Sequence, residues 1–93
     1  MTPLETCMWY VYVLESKKKH GWYIGSTKDM RKRILAHNAG KNKSTKHGIP
    51  WKIIYCEIGA SKEDAGAREK YLKSGMGRKY LKNRLKFFFA KGF

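Results

Sequence analysis

A chain of 93 residues has room for one hydrophobic core and no second domain. Apolar residues at 42% and aromatics at 14% fill such a core and exclude a disordered basic tail, while 21 Lys and Arg against 7 Asp and Glu, a formal charge of +14, favour a polyanionic partner. No run reaches the ~20 apolar residues of a membrane span and the first residues lack a secretion signal, so the cytoplasm is the expected location.

In chain order, Met8-Trp9-Tyr10-Val11-Tyr12-Val13-Leu14 is dense in β-branched and aromatic residues and predicts a strand, ended by a charged loop from Glu15 to Gly21. Trp22-Tyr23-Ile24-Gly25 follows at hairpin distance, with Gly21 available for a positive φ. Ser26 or Thr27 can cap a helix beginning near Asp29, whose apolar stripe is Met30, Ile34 and Leu35 and whose end is near Gly40. Lys41 to Gly48 is basic and aperiodic, a solvent-facing loop closed by Pro50, and Trp51 to Ile58 is a third strand. Cys7 and Cys56 lack a CxxC spacing, so they read as reduced thiols rather than a zinc site or disulfide.

Ser61-Lys62-Glu63-Asp64 matches a capping box and opens a helix from Lys62 to Lys73, with Gly75 as terminator. Gly66 inside it costs ~1 kcal/mol relative to Ala or marks close packing. A last helix from about Arg78 carries Leu81, Leu85 and Phe88 at i, i+4 and i+7. The order β-β-α-β-α-α predicts the α+β class: a small three-stranded antiparallel sheet flanked by helices, one domain over residues 1–93 with its core at about 8–86.

Tyr10-Val11-Tyr12 and Tyr23-Ile24-Gly25 lie on successive strands, Arg33 and His37 follow four residues apart on one helix, and Glu69 lies in the next. This ordered set resembles the GIY-YIG nucleases, and is similar to their single-domain bacterial branch related to the nuclease domain of the excision-repair endonuclease. The family has Gly where this chain has Tyr10; excision-repair members have Lys where Ser26 stands, a charge Lys28 is placed to replace; and an Asn often follows the Glu, for which Asn83 is the candidate, on a helical phase that points to solvent. The resemblance implies hydrolysis of DNA phosphodiester bonds, in repair or recombination, with Glu69 as ligand of Mg²⁺ or Mn²⁺, Arg33 on the phosphate, Tyr23 with Tyr12 activating water, and His37 assisting.

The residue types suit that chemistry. A planar guanidinium binds phosphate bidentately and keeps its charge. A single carboxylate, with phosphate oxygens and waters, is how Mg²⁺ is often held. A phenol serves as proton acceptor where cations lower its pKa from about 10. Ala65, Glu69 and Leu72 share a helix face, so the carboxylate faces inward and needs a partner, either a metal or a Lys or Arg. The alternatives for the others are two aromatics packing a sheet, a solvated Arg33 beside Arg31 and Lys32, and a surface His37.

Tyr10, Gly25, Lys28 and Lys32, the loop residues Lys41, Lys43 and Lys46, and Arg78, Lys79, Lys82, Arg84 and Lys86 near the end are assigned to the nucleic-acid surface, where basic side chains follow the backbone without reading sequence. Trp9, Trp22 and Trp51 are read as sheet anchors, with stacking on unpaired bases the alternative. DNA is expected rather than RNA, no membrane or obligate protein partner, and a monomer or weak dimer that nicks one strand. A non-catalytic basic nucleic-acid-binding protein retaining the nuclease fold is the competing reading, and a ribosome-associated assembly factor a third.

Overall fold

The structure is a computed structural model that describes residues 8–91; Cys7 lies outside them. Its sheet has the order β2-β1-β3, with β1 (Trp9–Ser16) paired antiparallel to β2 (Trp22–Thr27) on one side and to β3 (Trp51–Gly59) on the other. The near-continuous apolar run of β1 accounts for its central place, since only a strand covered on both faces can bury consecutive residues. β1 continues through Glu15 and Ser16, two residues past the expected end. The Ser16 hydroxyl donates to the Gly48 carbonyl at 2.6 Å and accepts from the amides of Lys18 and Lys19, closing the turn. His20, at φ 60°, supplies the positive φ assigned to Gly21.

Helix α1 (Met30–Asn38) is capped by Asp29, whose side chain accepts from the Lys32 amide at 3.0 Å. Neither Ser26 nor Thr27 caps it: both stay in β2. The expected stripe is also corrected, because Leu35 is 64% exposed and the inward face runs Met30, Ile34, His37. Gly40, at φ 77°, ends the helix where expected. The loop that follows is not wholly solvent-facing, for it contains a short 3₁₀ turn (Lys46–Gly48) and a buried Thr45.

Helix α2 (Lys62–Lys73) begins at the capping box, with the Ser61 side chain accepting from the Asp64 amide at 3.1 Å. Ser74, not Gly75, is its terminator. The same serine caps α3 (Gly75–Arg84) by accepting from the Gly77 amide, so α3 starts three residues earlier than expected. The last expected helix breaks at Leu85 into α3 and α4 (Lys86–Ala90), although Leu81, Leu85 and Phe88 remain the covered side. Gly66 marks no close packing: a Cβ there meets nothing within 4 Å.

Alternation along the strands divides the core. Val11, Val13 and Ile24 pack against Ala65, Leu72 and Leu81 of α2 and α3. The Arg68 guanidinium ties α2 to β3 through Glu57, with Nε–Oε distances of 3.0 and 2.9 Å. Tyr12 points to the opposite face, toward α1.

Candidate active site

Tyr12 and Gly25 are direct partners across β1 and β2. A Cβ on Gly25 would lie 2.7 Å from the Tyr12 hydroxyl and 3.2 Å from the Tyr23 ring, so the glycine makes room for both phenols. Its contribution is to seat the tyrosines. The two rings are 6.2 Å apart, and His37 closes a triangle at 5.9 Å from Tyr12 and 4.9 Å from Tyr23. Trp51 backs Tyr23 at 6.5 Å.

His37 is completely buried, which overturns the surface alternative. Its Nε2 is 3.0 Å from the Tyr12 hydroxyl and its Nδ1 2.8 Å from the Thr45 hydroxyl. Thr45 donates onward to the Asn42 carbonyl at 3.4 Å, leaving its oxygen to accept from Nδ1–H. Nε2 is then an acceptor, and the Tyr12 hydroxyl its donor. Burial, reinforced by the nearby Arg33 charge, lowers the His37 pKa and keeps the ring neutral.

Burial also pushes the Tyr12 pKa up to about 12, with Tyr23 and Glu69 adding to the rise and Arg33 opposing it. Tyr12 therefore does not stand ready as a phenolate at neutral pH. Of the two phenols it is fully buried, whereas Tyr23 is half-exposed.

Arg33, one turn before His37 on α1, is exposed and opens onto a cleft of about 390 Å³ lined also by Ala36, His37, Lys41, Asn42 and Lys43. Among the residues assigned to the nucleic-acid surface, Lys41 and Lys43 thus join the candidate site. Lys28 lies over Trp9 at 5.8 Å, Arg78 over Trp22 at 5.5 Å, and Lys32, Lys46 and Lys79 are exposed elsewhere. Tyr10 is half-buried opposite Thr27 and Ile58. Asn83 is exposed on α3.

Glu69 is half-buried, as its helical phase requires, and partnered: Oε1 accepts from the Ser26 hydroxyl at 2.8 Å and Oε2 from Lys73 Nζ at 2.7 Å. Ser26 thus has a definite place, fixing the carboxylate that acts on Tyr12 through space. Among the described residues no three His, Cys, Asp or Glu side chains gather as a metal cluster. One carboxylate is nonetheless the donor set that suits a hard cation held mainly by water and phosphate oxygen, and its partner Lys73 has a side chain 54% exposed.

Thr45 and Asn42 were not legible as site residues. The only signal for them was indirect: a histidine in phase with Met30 and Ile34 must be buried, and a buried imidazole needs partners on both nitrogens.

Comparison with known proteins decides the family. Residues 8–82 match the profile of the GIY-YIG catalytic domain. The chain belongs to the GIY-YIG nuclease family. It is 48% identical over 65 residues to a UPF0213 protein of Streptococcus pneumoniae, covering 69% of this chain and 65% of that one. A UPF0213 protein of Streptococcus pyogenes is 43% identical over 69% of this chain and 70% of its own length. The chain therefore spans about two thirds of the length of these relatives. Among solved structures, the solution NMR structure of a UPF0213 protein from Bacillus halodurans has a TM-score of 0.50 at 35% identity, covering 80% of this chain and 81% of that one. The Tyr, Arg, His and Glu positions of this GIY-YIG chain all fall inside the matched segment.

Proposed function

We propose that this protein is a metal-dependent endonuclease that hydrolyses DNA phosphodiester bonds, with Tyr12, Tyr23, Arg33, His37 and Glu69 as its working residues. The observation that carries the reading is the grouping of two phenols around a neutral imidazole, within the field of Arg33 and Glu69, with the imidazole and the arginine lining a basic cleft. Arg33 clamps the scissile phosphate, and Lys41 and Lys43 hold the strand beside it.

Tyr23 is the phenol that meets the attacking water. Tyr12 stays neutral and donates to His37 Nε2, which holds its hydroxyl in place beside Tyr23. Thr45 is a positioning residue that fixes the imidazole tautomer. Glu69 would hold Mg²⁺ or Mn²⁺, which neutralises developing charge on the phosphate oxygens when bound. Repair or recombination and the cytoplasm are the corresponding setting.

The second reading is a non-catalytic nucleic-acid-binding protein, favoured by the pairing of Glu69 with Lys73. A plasmid-nicking assay in Mg²⁺ or Mn²⁺ separates the two. Nicking by the wild type, reduced about a hundredfold or more in Glu69→Ala and Arg33→Ala, is expected for groups acting on the transition state. Equal nicking in all three would expose a contaminant, and salt-sensitive binding without nicking would select the second reading.

A further inference from the structure

The hairpin end of the sheet carries a larger cleft, of about 800 Å³, away from the phenol pair. Glu15 and Trp22 face each other across β1 and β2 at its floor, three residues, or roughly 10 Å, along the strand from Tyr12 and on the other face. Phe89 of α4, the cations Arg78, Lys82 and Lys86, and the turn residues His20 and Gly21 complete the walls. No residue of the candidate active site lines it.

Its chemistry is distinct. Glu15 is only 6% exposed; Oε2 accepts from the Trp22 indole at 3.2 Å, and Oε1 is buried with no hydrogen-bond partner. Among the described residues no ion pair joins Glu15 to Arg78, Lys82 or Lys86, so the cations line the same cleft without direct contact with it. A carboxylate left short of a donor is an acceptor in search of an N–H. Beside it the Trp22 and Phe89 rings, both lining the cleft, stack at 5.7 Å and 15°, with the Arg78 guanidinium 5.5 Å from the Trp22 ring centre.

An acceptor at the floor, an aromatic wall and cations at the rim match the three parts of a nucleotide: an N–H base edge, a π face and a phosphate. The volume is that of a small-molecule site. We propose that this cleft binds one unpaired nucleotide, with guanine preferred, because its N1–H and N2–H present two parallel donors to a carboxylate. Oε1 is closed to solvent, so the carboxylate turns outward to receive them, releasing its long bond to Trp22. The inference rests on the chain's engagement with nucleic acid but not on hydrolysis at Glu69. The nucleotide is either free or an unpaired residue of a strand.

Tryptophan emission of the purified chain, titrated with GMP, UMP, and single-stranded oligonucleotides that differ only in a central guanine or uracil, tests this. Quenching by the guanine ligands at about tenfold or more higher affinity than by the uracil ligands is expected. Glu15→Gln should abolish the preference without changing the melting temperature, Lys82→Ala should weaken all phosphate-bearing ligands, and Trp22→Phe should remove the signal. Preference with GMP alone identifies free nucleotide; preference confined to the oligonucleotides identifies the strand. Equal affinity for guanine and uracil, or an intact preference in Glu15→Gln, would overturn the proposal. Duplex binding measured alongside shows whether the nucleic-acid reading itself has failed.

Discussion

His37 is the residue whose placement most affects the chemistry. Its ring is fully buried between Tyr12 and Thr45 with a lowered pKa, so folding favours the neutral form. A group with a depressed folded pKa contributes stability that is present above its unfolded pKa, about 6.5, and is lost as pH falls through the folded value. Urea unfolding should therefore give a midpoint that declines from pH 7.5 toward pH 5.5, and His37→Gln should flatten that slope whatever its effect on absolute stability. A slope unchanged by the substitution would assign the titration elsewhere. Tyr12 shows the opposite trend: raised to about 12 in the fold, it contributes stability that is present below its unfolded pKa of about 10 and lost as pH rises through 12.

Gly25 makes a related prediction. Because its Cβ would lie 2.7 Å from the Tyr12 hydroxyl, Gly25→Ala should displace that phenol and break the bond to His37. Cleavage should fall while duplex binding, carried by exposed cations, persists. Filter binding and nicking on the same samples check this.

At the scale of elements, the sequence was most readable where one residue type dictates one local geometry. The Ser61 capping box, the apolar run of β1 and the phase that turns Glu69 inward are local signals, and each element stands where they place it. The misread boundaries were settled by partners that local pattern does not contain. Asp29 outcompetes Ser26 and Thr27 as cap because β2 retains both in its pairing with β1. Leu35 lies on solvent because His37 takes the inward phase. The Tyr12–His37–Thr45 chain joins three separate segments, so no spacing could announce it.

Two glycines of this region give opposite predictions. Gly66→Ala should stabilise by about 0.5–1 kcal/mol, since a Cβ there meets nothing and the helix gains propensity. Gly77→Ala should cost about 3 kcal/mol or more, because its Cβ would run into the backbone of Tyr71 and Leu72 where α3 turns onto α2. Thermal denaturation of both variants measures the contrast.

For the whole molecule, a formal charge of +14 sets the field and the clefts focus it. Duplex affinity should fall linearly with salt on logarithmic axes. Replacing Lys41 and Lys43 by Ala should reduce the slope by about 2, one unit for each phosphate no longer neutralised. Charge alone, however, does not distinguish a nuclease from a passive binder, and the choice between them turns on Glu69. The most direct measurement is the single-turnover cleavage rate of wild type and Glu69→Gln at saturating Mg²⁺, with duplex affinity and melting temperature recorded on the same preparations. The substitution keeps an oxygen for the Ser26 hydroxyl and removes the charge. Cleavage lower by about a hundredfold or more at unchanged affinity and melting temperature is the predicted result; cleavage equal to wild type would contradict the role of Glu69.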